Sequence, residues 1–174
     1  MKIVRIFEGH NNLFSFKYDN EVDDEFERLF DLWKDTEYLY NFFEYYHEYL
    51  NDSFWTTKSI NDIAIETRKL AFRFKRNLVA YQNQNYLDEI FEPLSQTSFV
   101  EGSLRKSKAK QSWLRIYALK VNKSDFIITG GAIKLTQKMD EHEITKHEKE
   151  KIEKCRNYLI ENGITDIEQI ISII

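Results

Sequence analysis

The pattern of hydrophobic and polar positions changes its period along the chain, and each change predicts a different element. Residues 2–7 and 13–18 are rich in β-branched and aromatic side chains and enclose a break around Gly9, which is typical of a β-hairpin. Beyond residue 20 the apolar positions follow the spacing of amphipathic helices. The predicted helices span residues 21–34, 36–50, 61–82 and, more briefly, 86–91.

The C-terminal half returns to an extended pattern. Residues 113–121 and 126–135 are two β-prone runs around a polar turn, and they predict a second hairpin. Gly130 and Gly131 would allow the later strand to bend or bulge. The preceding residues, 94–112, are polar and rich in lysine, so we expect them to form a mobile segment.

Together these elements predict an α+β fold. Its small antiparallel sheet is built from the N-terminal hairpin and the C-terminal hairpin (113–135). Because the strands come from both ends of the chain, we expect residues 1–174 to form a single domain with a large helical insertion over about 21–92. C-terminal helices are predicted over 145–161 and from Asp166 to the end of the sequence.

The composition indicates one packed unit in a reducing compartment. Of the 174 residues, 42% are hydrophobic and 15% aromatic, which is enough apolar material for a single core. The one cysteine, Cys155, excludes an internal disulfide and a multi-cysteine zinc site. No apolar run reaches the roughly 18 residues that span a bilayer, and the N-terminus lacks the apolar stretch of a signal peptide. We therefore expect a cytoplasmic protein without a membrane partner.

The net charge of −4 conceals two blocks of opposite sign. Residues 19–52 hold 12 acidic and 2 basic side chains, whereas residues 101–140 hold 9 basic and 3 acidic ones. Such segregation indicates surfaces of opposite potential and partners of opposite charge. The simpler alternative is that both blocks are ordinary solvated faces. The acidic block is also rich in aromatic residues, which either pack in the core or bind a partner.

Three familiar motifs fail on spacing or context. His142 and His147 are about 140° apart around a helix, whereas two zinc ligands on one helix face need i and i+4 spacing. Residues 130–136 contain two glycines and a lysine but lack the spacing of a phosphate-binding P-loop. Cys155 has no histidine base placed beside it. We therefore expect no metal site and no cofactor.

The basic block is the most coherent candidate site. Alternation along its strand places Trp113, Arg115 and Tyr117 on one face, with the cation between two aromatic rings. Cations meet phosphates and aromatic rings stack on unpaired bases, which favours RNA as the ligand. The alternative is that both rings pack at a sheet edge and Arg115 pairs with a carboxylate. The other cations that a hairpin would bring toward this surface are Arg105, Lys106, Lys108, Lys110, Lys134 and Lys138.

Residues 106–142 resemble the catalytic half of the RelE/HigB-like toxins, which are ribosome-dependent mRNA endoribonucleases of toxin–antitoxin pairs. In that superfamily, lysines precede a strand that carries an arginine in an Arg-hydrophobic-Tyr setting, and a later strand containing glycine delivers another Lys or Arg. Here Lys106 and Lys108 precede Arg115-Ile116-Tyr117, and residues 127–134 match the later strand. The match covers less than a quarter of the chain.

The resemblance implies cleavage of mRNA on the ribosome by attack of a 2′-OH on the adjacent 3′-phosphate, without a metal. Arg115 and Lys134 would clamp that phosphate. His142 would act as the acid or base, with Tyr117 as the alternative. An antitoxin protein is the further partner that the resemblance implies. The expected RNA-binding residues are Lys106, Lys108, Trp113, Tyr117 and Lys138.

A second hypothesis belongs to a different functional class. The protein would be a non-catalytic adaptor that binds nucleic acid or protein through the basic hairpin and the acidic aromatic helices. In one variant of this hypothesis, residues 19–52 cover the basic surface as a built-in inhibitor. A structural protein without enzymatic function is a third alternative, and the sequence leaves the oligomeric state open.

Overall fold

The computed structural model of the protein contains a six-stranded sheet with helices on both of its faces. It describes residues 1–9, 12–51, 58–83, 86–94, 104–122, 124–136 and 142–174. The strands are β1 (Lys2–Arg5), β2 (Leu13–Lys17), β3 (Glu92–Pro93), β4 (Arg105–Gln111), β5 (Leu114–Lys120) and β6 (Phe126–Ile133). The helices are α1 (Glu25–Lys34), α2 (Thr36–Tyr45), α3 (Ile60–Asn83), α4 (Leu87–Ile90), α5 (Glu143–Glu161) and α6 (Ile167–Ile171), and a 3₁₀ helix (His47–Asn51) follows α2. Among the helices of these ranges, none has the length and apolar character that crossing a membrane requires.

Polar side chains at the helix ends explain where the helices begin. The Asp24 carboxylate accepts hydrogen bonds from the first backbone N–H groups of α1, and Asp35 does the same for α2. Ser59 accepts from the backbone N–H of Asp62 at the start of α3, and Asp166 forms a capping box with Gln169 in α6. The predicted helices are confirmed to within a few residues. The last residues of the second predicted helix form the 3₁₀ helix His47–Asn51 and not a continuation of α2.

The sheet order is β1-β2-β6-β5-β4-β3. Both ends of the chain contribute strands, and the α+β class and the N-terminal hairpin are confirmed. The neighbouring strands are antiparallel except for β2 and β6, which run parallel. The expected antiparallel sheet is therefore a mixed one: the helical insertion leads to β3 at the far edge, and the antiparallel run from β3 to β6 ends with β6 parallel to β2.

Strand β4 lies within residues 94–112, where we expected a mobile segment. That expectation is wrong for residues 105–111, which pair along their whole length with β5. The structural reason is alternation: Ser107 and Ala109 are fully buried, whereas the lysines that alternate with them, Lys106, Lys108 and Lys110, point to the other face. The high lysine content of this segment led us to predict a mobile segment where the chain forms a strand with one buried side.

The two faces of the sheet belong to two different cores. Leu114, Ile116 and Ala118 pack with α1, α2 and α3, as the alternation in β5 predicts for that stripe. The opposite face, which includes Tyr117 and Leu119, packs with α5 and α6. Strand β6 contributes to both cores, and all eight of its residues are buried.

Gly131 lies where β5 and α1 come closest to β6. A Cβ atom at this position would lie 2.5 Å from the backbone oxygen of Arg115 and 2.8 Å from the Cδ1 of Leu29. The pairing of β5 with β6 also shifts register between Tyr117 and Ala118, so the bulge expected near the glycine pair is confirmed. The absence of a side chain at residue 131 allows these three elements to meet.

We expect Gly131→Ala to lower the free energy of unfolding by about 2–3 kcal/mol, because the added methyl group must displace backbone and packed side chains. Urea denaturation, with the midpoint and slope compared between variant and wild type, measures this change. An unchanged midpoint would contradict the close approach.

Candidate nucleic-acid interface

A row of cations occupies one face of β4 and β5. Antiparallel pairing sets Lys108 opposite Tyr117 and Lys110 opposite Arg115, and directly opposed residues point to the same side of a sheet. Tyr117 packs in the core beneath α5, so the cations lie on the α5 side. Lys106, two residues before Lys108, shares this side.

Helix α5 brings further charges to the same region. The Lys106 ammonium forms an ion pair with Glu153 of α5. Lys149 and Arg156 recur on the side of α5 that carries Glu153. Burial and these two cations lower the pKa of Lys106. We name this region the basic face, and it comprises Lys106, Lys108, Lys110, Arg115, Lys149 and Arg156.

Among the cations that β4 and β5 contribute to the basic face, Arg115 is the one without an ion pair in the described ranges. Its half-buried guanidinium donates hydrogen bonds to the backbone carbonyls of Ser112 and Leu114. It forms no ion pair with any residue in the described ranges, and Glu92 acts on it only at longer range. Burial lowers the pKa of Arg115, but a guanidinium stays protonated in proteins. The site therefore holds a positive charge that an anion could neutralise.

Glu92 of β3 holds the two lysines nearest to Arg115. Its Oε1 lies 3.0 Å from the Nζ of Lys110 and 3.9 Å from the Nζ of Lys108. The hydrogen bond from Lys110 and the surrounding cations lower the pKa of Glu92. Glu92 is therefore ionised at neutral pH and is a weaker base than an ordinary glutamate, and it competes with any anion for the lysines.

The structure brings Lys134 to the same end of the sheet as Arg115. Arg115 pairs with Ala132, and the backbone N–H of Lys134 continues the ladder by donating to the Trp113 carbonyl at 2.8 Å. Strand pairing therefore places the backbones of Arg115 and Lys134 near each other, as the predicted phosphate clamp requires. Lys138, the other lysine expected here, lies outside the described residues.

The predicted stripe of Trp113, Arg115 and Tyr117 is wrong for Trp113, because only Arg115 and Tyr117 share a face of β5. Trp113 is 5% exposed in the core beneath α3, where its Nε1 donates to the Thr67 Oγ1 at 2.8 Å. Tyr117 is 1% exposed in the opposite core. The alternation fails because β5 begins only at Leu114, after a turn in which Ser112 has a φ of +54°. Neither buried ring has a face free to stack on a base.

His142 caps α5 instead of facing solvent. Its Nδ1 accepts from the backbone N–H of Ile144 at 3.2 Å, and its ring packs edge-on against Tyr46 and Tyr49. Burial lowers the pKa of His142, so the ring is neutral at neutral pH. This geometry gives His142 a structural role and corrects the hypothesis that it is the acid or base. The helix accordingly begins two residues earlier than predicted.

The acidic block does not cover the basic face. Helices α1 and α2 pack in the layer on the other side of the sheet, against the stripe that includes Leu114 and Ile116. The variant hypothesis of a built-in inhibitor over residues 19–52 is therefore wrong. Helices α1 and α2 of the acidic block and the basic face instead lie on opposite sides of the sheet.

An ion network where α1 meets α5 was not predicted from the sequence. The Glu25 carboxylate accepts two hydrogen bonds from Arg28, at 2.8 Å and 2.9 Å. The Lys151 Nζ lies 2.7 Å from Glu25 and 3.4 Å from Glu148. The four side chains line an open pocket of about 540 Å³. The only signal in the sequence was a glutamate, Glu148, on the apolar stripe of α5.

Glu148 is the member of this network whose ionised form is least stabilised by its surroundings. Burial raises its pKa to about 7, although Lys151 opposes the shift. Its Oε2 has no hydrogen-bond partner in the described part of the chain and lies against Gly130, where a Cβ atom would come within 2.0 Å. Within the same part, no group of three or more His, Cys, Asp or Glu side chains could hold a metal ion.

Cys155 lies beside the network and is not positioned as a nucleophile. Its Sγ is 3.0 Å from the Tyr18 hydroxyl, which donates to the Thr129 carbonyl at 2.7 Å. Burial raises the pKa of the Cys155 thiol to about 11. The thiol is therefore protonated at neutral pH and serves as a packing group.

No protein-family model, curated protein or solved structure matches the chain. The resemblance of residues 106–142 to the RelE/HigB-like toxins therefore remains a hypothesis.

We expect Glu148→Gln to change how stability depends on pH. A raised carboxyl pKa means that the folded state binds more protons than the unfolded chain between about pH 4.5 and 7, so this contribution to stability is lost as pH rises through 7. The variant should gain stability relative to wild type by about 2–3 kcal/mol from pH 5 to pH 8.

Urea denaturation at several pH values measures this difference, and Glu150→Gln, at an exposed position on the same helix, is the matched control. If the profiles of Glu148→Gln and wild type ran parallel, the raised pKa would be refuted.

Proposed function

We propose that the protein is an endoribonuclease that binds RNA on the basic face and cleaves it by attack of a 2′-OH on the adjacent phosphate. The observation that carries this proposal is Arg115, a half-buried guanidinium without a carboxylate partner in the described ranges. Negative charge increases on the phosphate as the 2′-oxygen attacks. A fixed cation beside that phosphate stabilises the transition state more than the substrate.

The lysines of β4 supply the binding surface for the rest of the RNA backbone. Alternate residues of a strand are about 6.7 Å apart, so Lys106, Lys108 and Lys110 form a regular row of positive charge. Glu92 and Glu153 already hold these ammonium groups in place, which lowers the entropy lost on binding. Phosphates would replace the two carboxylates as the partners of the lysines.

Proton transfer needs groups other than the buried His142 and Tyr117. We assign Glu92 as the acceptor of the 2′-OH proton, because it is ionised and contacts the lysines beside Arg115. We assign the ammonium of Lys110, which lies opposite Arg115 across the paired strands, as the donor to the leaving 5′-oxygen. The bond from the 2′-oxygen to phosphorus forms and the bond to the 5′-oxygen breaks, which leaves a 2′,3′-cyclic phosphate and a free 5′-OH.

The resemblance to the RelE/HigB-like toxins extends the proposal to the biological setting. The substrate would be mRNA on the ribosome, and an antitoxin protein would inhibit the enzyme. Neither partner is required by the chemistry at Arg115, so free RNA and ribosome-bound mRNA are separate tests of the same site.

A non-catalytic adaptor is the second candidate function, and one observation favours it. Tyr45 is 76% exposed on α2, next to the exposed carboxylate of Glu44 and close to the half-buried Tyr46. An exposed aromatic and acidic surface can bind a basic protein segment through ion pairs and cation–π contacts. This candidate predicts RNA binding without cleavage.

Replacing the central cation tests the nuclease. We expect Arg115→Gln to reduce the cleavage rate at least 100-fold, because one preorganised group that stabilises developing charge contributes about 10²–10³ in rate. Arg5→Gln, which removes an exposed arginine from edge strand β1, should cleave like wild type.

The measurement is cleavage of free RNA and of ribosome-bound mRNA, with the cyclic phosphate identified in the product and a 2′-deoxy substrate as the uncleavable control. Growth arrest on expression in bacteria, abolished by Arg115→Gln, would agree with it. Equal rates for Arg115→Gln and Arg5→Gln, or wild-type protein inactive on both substrates, would refute the proposed nuclease.

Glu92→Gln separates binding from proton transfer. We expect RNA affinity to rise about 3- to 10-fold, because Lys108 and Lys110 lose a competing carboxylate, and the cleavage rate to fall about 100-fold, because the proton acceptor is lost. Binding is measured with an uncleavable RNA, and cleavage is measured under single-turnover conditions. A variant with higher affinity and an undiminished rate would show that Glu92 only competes for the lysines.

A further inference from the structure

The solvent side of α3 carries a second concentration of cations. Arg68, Lys69, Arg73 and Arg76 are all exposed. None of them forms an ion pair or a hydrogen bond with any residue that the structure describes. The Arg68 guanidinium instead lies over the ring of Phe72 on the same helix, 5.6 Å from the ring centroid.

These cations share one face of the helix. At 100° per residue, the exposed positions from Ile65 to Arg76 fall within an arc of about 140°. The opposite arc holds the buried residues Leu70, Phe74 and Leu78. The face is therefore separate from the core, and we name it the α3 cationic face: Ile65, Arg68, Lys69, Phe72, Arg73 and Arg76.

No carboxylate of α3 neutralises this face. Residues 68–76 contain five basic and no acidic side chains. Glu66, one turn earlier, pairs with Lys58, and Lys75 at the flank pairs with Glu27 of α1. Four cations without a carboxylate partner in the described ranges therefore stand together in a chain whose net charge is −4.

Apolar side chains lie among the cations. Phe72 is 52% exposed and Ile65 is 39% exposed. Arginines beside an accessible aromatic ring combine phosphate contacts with a surface for base stacking. Three of the four cations are arginines, whose planar guanidinium groups match phosphate oxygens in pairs.

A membrane surface fits this face less well than a nucleic acid. Helices that lie in a bilayer interface bury a broad apolar face in the lipid. In α3 that broad face packs in the core, and only two large apolar side chains of the helix, Ile65 and Phe72, are exposed.

We propose that the α3 cationic face is a second RNA-binding surface, which binds the phosphate backbone of structured RNA. Helix α3 belongs to the layer opposite α5, so a few nucleotides cannot contact both this face and the basic face. The two surfaces fit separate segments of a large RNA or of a ribonucleoprotein particle. This inference does not depend on cleavage at Arg115.

The test compares two variants of equal charge by fluorescence anisotropy with a labelled RNA hairpin of 20 base pairs. One variant combines Arg68→Gln, Arg73→Gln and Arg76→Gln. The matched control combines Lys2→Gln, Arg5→Gln and Lys154→Gln, which removes three exposed cations elsewhere on the molecule. Every substitution is at the surface, so both variants should fold. Urea denaturation midpoints check that they do.

We expect the α3 variant to bind the hairpin 10- to 100-fold more weakly than wild type at 100 mM salt. Each lost phosphate contact reduces the slope of log affinity against log salt by slightly less than one, so a decrease in slope of about 2–3 is expected. The control should change affinity less than threefold. Equal hairpin affinity in the α3 variant and the control would overturn the inference.

Two further measurements distinguish the alternatives. Binding of wild type to vesicles containing phosphatidylserine, lost in the α3 variant while hairpin binding persists, would overturn the inference in favour of a membrane. Hairpin binding lost in the α3 variant, with wild-type protein inactive in cleavage, would refute the nuclease and uphold the α3 surface. Normal cleavage of a short single strand together with unchanged hairpin binding in the α3 variant would support the nuclease and overturn the inference of an α3 RNA-binding surface.

Discussion

The structure depends on one strand that is buried on both faces. Strand β6 pairs with β2 on one side and β5 on the other, and its eight residues contribute to both cores. A strand with no solvent face must be apolar or small throughout, and its sequence, FIITGGAI, meets this requirement. The two glycines create the space that the neighbouring layers fill: the Glu148 carboxyl on one side, and Leu29 and Trp33 on the other. The positions of α1, α5 and the basic face all follow from this strand.

Separation of charge across the sheet is the second organising feature. The acidic, aromatic helices α1 and α2 lie in one layer, whereas Lys106, Lys108, Lys110 and Arg115 point toward the other. Within each layer, however, the local sign varies. Glu92 and Glu153 lie among the lysines of the basic face, and α3 presents arginines next to the acidic helices. A small net charge therefore coexists with several strongly charged surfaces. Arg115 and the α3 cationic face, whose cations have no carboxylate partner among the described residues, are the most informative about ligands.

The sequence predicted those features that depend on local patterns. The helical spacing fixed most helix positions, Asp166 marked the start of the last helix, and the extended runs identified the N-terminal hairpin and β5 to β6. Properties that arise from packing were missed. The predicted stripe of Trp113, Arg115 and Tyr117 failed because a turn at Ser112 places Trp113 outside β5. The prediction that His142 is the acid or base failed because its ring is packed against Tyr46 and Tyr49, which are nearly 100 positions away in the sequence. The network around Glu148 likewise joins residues of α1 and α5 that no local pattern relates.

The parallel pairing of β2 with β6 has a consequence for the order in which the chain folds. Leu13 pairs with Phe126, so more than 100 residues are synthesised between the two strands. The N-terminal hairpin and α1 to α3 emerge first, but their sheet partner does not yet exist, and their apolar faces have nothing complete to pack against. Contacts of such sequence separation slow folding and leave hydrophobic surface exposed during synthesis. The nascent protein should therefore stay incompletely folded, and susceptible to chaperones and proteases, until β6 has left the ribosomal tunnel.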